Sequence, residues 1–185
     1  EDKRPFGTKQ RVYDSGFQWL THSVNPHHIE DHDFRIHVGG RDCKQPYDLS
    51  IYNISAMSFG ALSANAILAL NTGAKKGGFA HDTGEGGISR YHREGGGDLV
   101  YQVGSGYYGC RTTDGRFDPE KFREQAADPQ VKMIELKLSQ GAKPGHGGVL
   151  PASKITPEIA EARSVPMDRD CVSPASHPEF STPIE

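Results

Sequence analysis

Little in this chain marks a specialised class. It has three cysteines, Cys43, Cys110 and Cys171, an odd number spaced too widely for a local metal or redox motif, so neither a disulfide framework nor a Cys-x-x-Cys centre organises it. Reduced thiols in a cytoplasmic setting are the expectation. No apolar run approaches the roughly 20 residues of a membrane span, and no signal-peptide pattern opens the sequence. Net charge is −3 with both signs interspersed, which gives no field to attract nucleic acid or an anionic membrane. Two-residue hairpin signals are also missing. Glycine is what the chain concentrates: 22 residues, of which 17 lie between Gly73 and Gly148.

The length suits one domain with its own core. Residues 1–48 are polar, rich in His and Pro and weak in periodicity, and read as an irregular arm, whereas residues 49–185 carry the regular structure. His28 and His32 are four apart and, with His27, invite a metal, but no carboxylate or thiolate pattern completes a site, so solvated histidines are expected. The ending Thr182-Pro183-Ile184-Glu185 has the form of a helix start, with Thr182 as N-cap, Pro183 in the first turn and Glu185 closing a capping box. That pattern predicts that the chain is part of a longer protein.

Residues 49–57 alternate as a strand. Ser63 caps a predicted helix to Lys76, with Ile67, Leu70 and Ala74 as its apolar stripe and Gly77-Gly78 as its stop. Residues 79–81 and 99–103 read as strands, Asp118-Pro119 opens a helix to Ala127, residues 131–138 form the clearest strand, Thr156-Pro157 opens a helix to Arg163, and residues 171–173 are a last strand. Strand, loop and helix recur in that order, which predicts a parallel α/β architecture. The glycine clusters mostly follow strands, so they should converge on the carboxyl edge of the sheet as one binding face.

Several constellations fall on that face. Gly104-x-Gly106-x-x-Gly109 has the dinucleotide spacing, but no helix begins inside it to meet a pyrophosphate. In residues 131–138 strand alternation puts Met133, Glu135 and Lys137 on one face and Ile134, Leu136 and Leu138 on the other. The apolar face suits helix packing; the Glu135 and Lys137 face would point into a barrel, with Glu135 buried one layer below Lys137. An exposed edge strand is the alternative. Glu85, held by Gly84, Gly86 and Gly87, is a carboxylate on a constrained loop, suited to acid/base work or to orienting an amine, or else a solvated turn. Lys137 and Lys143 flank the start of a second glycine loop that runs to Gly148, where charge and bare amides can meet an anion. Lys143 and Arg163 could together pair with a dicarboxylate; taken alone, Arg163 is a cation at a helix C-terminus.

The runs Ile54-Ser55-Ala56-Met57-Ser58-Phe59-Gly60-Ala61-Leu62-Ser63, Thr83-Gly84-Glu85-Gly86-Gly87 and Gln140-Gly141-Ala142-Lys143-Pro144-Gly145-His146-Gly147-Gly148 resemble, in order and spacing, the FMN-binding domain of glutamate synthase. With residues 180–185 they look most like the shorter glutamate synthase-like proteins that lack a glutaminase domain. The resemblance implies the N-terminal part of a (β/α)8 TIM-type barrel holding FMN at its carboxyl face. By match of motif, Met57, Ser58 and Gln140 would contact the flavin and Lys137 would stabilise its reduced, anionic form. Lys143 and Arg163 would hold the carboxylates of 2-oxoglutarate, and Glu85 would face the imine. The implied chemistry is hydride transfer to 2-iminoglutarate, formed from 2-oxoglutarate and ammonia, with electrons from a donor such as ferredoxin or a reductase subunit. His146 and Val149 depart from the long enzymes, which carry Glu and a substrate-contacting Gln there, so another keto acid is the alternative substrate. The iron-sulfur ligands of that family would lie beyond Glu185, and no metal is expected on this segment. A further alternative is a non-catalytic piece that folds only against its missing half.

Overall fold

A computed structural model of the chain describes residues 13–138, 147–182 and 184. Two compact units divide it, Glu1–His32 and Asp33–Glu185. Within the described part of the first, turns and irregular backbone prevail, with the Phe17 and Trp19 rings 5.8 Å apart. Among the described residues, the second holds the strands and α-helices: β1 (Arg35–Val38), β2 (Tyr47–Ser50), α1 (Ala64–Gly77), β3 (His81–Asp82), α2 (Arg90–Glu94), β4 (Leu99–Val103), α3 (Pro119–Ala126), β5 (Val131–Leu136), β6 (Val149–Leu150), α4 (Pro157–Arg163) and β7 (Cys171–Val172), with a 3-10 turn at Ala152–Lys154.

A parallel sheet ordered β3-β4-β5 forms the centre, and Ile54 adds a parallel bridge to His81. Its strands therefore stand in chain order, each joined to the next by a helix. The predicted α/β class and parallel sheet are observed. Local chemistry explains the helices. Ser63 Oγ accepts the Ala66 amide at 3.3 Å, and Gly78 closes α1 at φ 67, a left-handed conformation that costs glycine little. Asp118 caps α3 and Thr156 caps α4, each followed by a proline in the first turn.

Other features depart from the sequence reading. Regular structure begins at Arg35, inside the segment read as irregular to residue 48, because β1 pairs with β2 in an antiparallel ladder from Arg35↔Ser50 to Val38↔Tyr47. Its strands are joined through residues 39–46, too long a connection for a two-residue turn signal. The strand read over 49–57 is confined to the end of β2 and the Ile54 bridge. β7 is present but pairs antiparallel with β6.

The core has two parts. Phe59, Ile67, Tyr108, Leu150, Ile155, Ile159 and Cys171 form one. Leu99, Tyr101, Val103, Tyr107, Cys110 and Val131 form the other, with Phe117 and Phe122 packed against it. All five residues of β4 are buried, and each large apolar side chain among them contributes about 1.5–3 kcal/mol of transfer free energy.

β5 is the edge of this sheet among the described residues. Ile134, Leu136 and Leu138 are 44%, 51% and 62% exposed, so the apolar face expected against a helix is not covered by one. Glu135, expected to be buried, is exposed although it accepts a hydrogen bond from Gln102 Nε2. Among the described residues, no strand pairs with the outer side of β5 and no element packs over these side chains.

Candidate functional site

Three chain segments meet at the carboxyl ends of the parallel strands. The turn after β3 carries Glu85, the turn after β4 packs against it, and the end of β5 delivers Lys137. Lys137 Nζ lies 3.2 Å from Glu85 Oε2, with the side chains 26% and 16% exposed. A cavity of about 420 Å³ opens beside this pair, lined by Ser58, Glu85, Lys137, Lys154, Arg163 and Ser173 among others. The predicted convergence of glycine-rich loops is visible at close range. A Cβ on Gly84 would lie 2.7 Å from the Ser58 amide, and one on Gly104 2.8 Å from Glu85 Cβ. These backbones touch because the side chains are absent.

Arg163 ends α4, yet its side chain turns inward and the residue is only 6% exposed. It donates to the Phe59 carbonyl at 3.1 Å and lies over the Tyr108 ring at 5.4 Å. Its Nε has no hydrogen-bond partner, and no carboxylate pairs with it among the described residues. A buried cation in that state favours an anionic ligand. Ser58 lines the cavity, and the Met57 side chain packs against the Phe59 cluster. Gln140, Lys143 and His146 lie outside the described residues, as do Pro183 and Glu185 of the expected helix start. Gly104, Gly106 and Gly109 form turns, with the Tyr107 amide bonded to the Gly104 carbonyl at 3.0 Å, and no helix starts among them, so the dinucleotide fingerprint is a coincidence of spacing.

Polar groups behind the cavity hold these loops. The Met57 amide donates to the Asp82 carbonyl at 3.1 Å, and the Gly84 amide to the Asp82 carboxyl at 2.8 Å. Burial, reinforced by the Glu135 carboxylate, pushes the Asp82 carboxyl up to about 7 against the opposing effects of the Gly84 amide and Lys137. Gln102 Nε2 donates to both the Asp82 and the Glu135 carboxylates, which puts Glu135 on the Asp82 side of the sheet. On the other side His81 and His92 are fully buried with rings 5.3 Å apart. Burial lowers both to about 4. His92 Nε2 donates to the Met57 carbonyl at 3.0 Å.

Sequence reasoning missed Asp82, His92 and Lys154. Asp82 stands in the same His-Asp-Thr-Gly-Glu run as Glu85, so its place at a strand end was available as a signal. His92 occupies the capping-box position three residues after Ser89, where Glu or Gln is the usual mark, and so gave none. Lys154 stands six residues past the end of the glycine loop at Gly148 and could have been counted with its cations.

A family model described as a conserved region in glutamate synthase matches residues 27–185. The chain belongs to the glutamate synthase family. It is 38% identical over 164 residues to a glutamate synthase large subunit-like protein of Bacillus subtilis, covering 88% of this chain and 31% of that protein. It is 35% identical over 188 residues to a protein of the same description in Rhizobium meliloti, covering 98% and 40%. An archaeal glutamate synthase [NADPH] of Archaeoglobus fulgidus is 39% identical over 121 residues, 65% of this chain and 21% of that protein. The chain thus spans less than half the length of these glutamate synthase relatives. Among the described residues, no helix is long and apolar enough to cross a membrane.

Proposed function

We propose that this chain supplies part of the active site of an FMN-dependent glutamate synthase-like oxidoreductase that reductively aminates 2-oxoglutarate, through 2-iminoglutarate, to glutamate. The observation that carries the reading is the Lys137–Glu85 pair in a cavity whose wall includes a buried guanidinium that pairs with no carboxylate among the described residues. Three parallel strands in unreversed chain order, each joined to the next by a helix, support a (β/α)8 barrel, since a doubly wound sheet reverses direction at its switch point.

The residues present fit a planar anionic cofactor and a dicarboxylate substrate. The glycine turns expose backbone that a flat ring can approach, and Lys137 and Arg163 offer two cations of different reach. FMN, when bound, supplies the hydride. Lys137 would hold its negative pole, with Ser58 and, by motif, Met57 and Gln140 beside the ring. Arg163, with Lys143 by motif, would orient the substrate carboxylates. Glu85 would hold the imine nitrogen and its proton, kept in place by the Lys137 ammonium. Ammonia is the nitrogen donor, and ferredoxin or a reductase subunit is the electron source. No iron-sulfur ligand set is assigned to this segment, since Cys43 is exposed while Cys110 and Cys171 are buried as free thiols. The setting in this reading is the cytoplasm.

Val149 favours a second reading. Its apolar side chain stands in the cavity wall and can donate nothing to a distal carboxylate, which suits a different, less polar keto acid. One experiment addresses both. The full-length protein, purified and examined for bound FMN, is reduced anaerobically and mixed with ammonium and a panel of keto acids while flavin absorbance and amino-acid products are followed. Reoxidation with glutamate release supports the first reading, and turnover of another keto acid alone supports the second. A protein without flavin refutes both.

A further inference from the structure

His177 is 6% exposed and lies in the segment after β7, far in sequence from the strand it touches. Its Nε2 is 2.7 Å from the carbonyl oxygen of Lys137. A carbonyl only accepts, so Nε2 carries the hydrogen, and Nδ1 is left to accept from the Tyr107 hydroxyl at 3.1 Å. Burial raises the Tyr107 phenol above its ordinary value, which keeps that hydroxyl a donor. The imidazole is packed between rings: Phe180 stacks on it at 4.6 Å and Tyr107 meets it at 5.4 Å.

The Tyr107 backbone is unusual. Its φ is 50, a left-handed conformation that bulky side chains rarely adopt. A strained residue persists where the surroundings over-determine it. Here the turn from Gly104 to Tyr107 is closed by a backbone bond of 3.0 Å, and the strain aims the phenol at His177. On its other side the Lys137 backbone is tied to the sheet, because its amide donates to the Val103 carbonyl at 2.9 Å. Lys137 is thus held at both backbone polar groups just past the last residue of β5. Its ammonium reaches Glu85 from that fixed base.

We propose that His177 is a positioning residue for Lys137: held by the Tyr107 hydroxyl, it fixes the Lys137 carbonyl and thereby sets where the ammonium stands against Glu85 and the cofactor. The role toward the cofactor rests on the flavin reading above; the backbone restraint does not. His177 itself touches neither cavity nor reacting atoms and takes no proton in this role. It links the β4 turn and the segment after β7 to the Lys137 ammonium at the tip of β5.

The test uses the full-length protein and three variants. His177→Gln keeps an N–H at about the reach of Nε2, His177→Asn reaches only as far as Nδ1, and Tyr107→Phe removes the hydroxyl alone. Two quantities are read. Hydrogen exchange at the Lys137 amide reports the backbone restraint without reference to any ligand. Sulfite affinity of the bound flavin, followed by bleaching, reports positive charge close to the ring. Loss of one net hydrogen bond should speed exchange and weaken sulfite binding by ~3- to 10-fold in His177→Asn, while His177→Gln stays within ~2-fold of the parent. Tyr107→Phe should move both in the same direction by less, and it decides the matter should the Asn variant not fold. Unchanged exchange at Lys137 in His177→Asn overturns the proposal, as does a Gln variant no better than Asn. Faster exchange with sulfite affinity intact also overturns it, since His177 would then hold backbone without placing the ammonium. A parent protein without flavin sinks the functional reading instead and leaves exchange to decide the restraint.

Discussion

The Asp82 carboxyl accepts the Gly84 amide at 2.8 Å, so a buried acid at the end of β3 sets the turn that carries Glu85. That acid is raised from 3.8 to about 7, chiefly by burial. For an acid the sign is the reverse of the usual carboxylate case: the folded state keeps a proton that the unfolded chain has released. The contribution is fully present below about pH 4 and is lost as pH rises through 7, by up to ~4 kcal/mol. Asp82→Asn keeps an acceptor for Gly84 without the charge. Urea unfolding of this variant should show less loss of stability between pH 5.5 and 8 than the parent, and parallel pH profiles would contradict the assignment.

The two buried histidines act in the opposite direction. Each is lowered from 6.5 to about 4, so the folded state refuses protons that the unfolded chain accepts. Their contribution is complete above about pH 6.5 and is lost as pH falls toward 4, on the order of 3 kcal/mol for each. Acidification should therefore destabilise the domain despite Asp82. His92→Gln removes one titrating ring, and its unfolding free energy should fall less steeply from pH 7 to pH 5; a steeper fall would reverse the sign argued here.

Glu85 and Lys137 test as a pair. Both are partly buried and 3.2 Å apart, so Lys137→Met takes the paired ammonium away from a partly buried carboxylate and should cost about 1–3 kcal/mol of stability. The double variant with Glu85→Gln should recover part of that loss in a thermodynamic cycle. Glu85→Gln alone should reduce amino-acid formation by ~100-fold or more if its carboxylate handles the proton at nitrogen. Equal turnover in Glu85→Gln and parent would remove Glu85 from the chemistry.

The parts of the fold that could be read ahead were those with their own local chemistry. Ser63, Asp118-Pro119 and Thr156-Pro157 announce three helices because a cap is a contact between near neighbours. Residues 99–103 announce β4 because a strand buried on both faces is apolar almost throughout, here at every position but Gln102. Helix α2 escaped because it has five residues and its capping box ends in His92. The β1–β2 ladder escaped because its connection carries no tight-turn signature. At the site, Glu85 and Lys137 were legible from glycine clusters after strands. His177 was not, since its partner is the main chain of a residue 40 positions away, and no side-chain pattern records a carbonyl.

Gly84 offers a sharper test of the loop packing. Its φ of 67 and the Ser58 amide 2.7 Å from a notional Cβ leave no room for alanine. Gly84→Ala should cost roughly 1–3 kcal/mol through backbone strain and close contact together. By comparison, Gly78→Ala at φ 67 closes α1 away from the cavity and meets only Arg35, at 3.2 Å, so about 1 kcal/mol is expected there. Thermal unfolding compares the two, and ligand binding should be lost in the first while persisting in the second.

The exposed edge of the sheet predicts how this polypeptide behaves by itself. β5 has no partner on its outer side among the described residues, and beside that open ladder stand Ile134, Leu136 and Leu138, each at least 44% exposed. Unpaired backbone next to an apolar row is a template for a further strand, whether from the same protein or another copy. The 185-residue polypeptide should therefore self-associate, as sedimentation or light scattering at micromolar concentration would show. Leu136→Lys places a charge in the middle of the row without touching the buried face of β4, and it should shift the distribution toward monomer with little change in melting temperature. A parent polypeptide that stays monomeric would show that the edge is protected, and the case for a sheet continuing past β5 would lose its support.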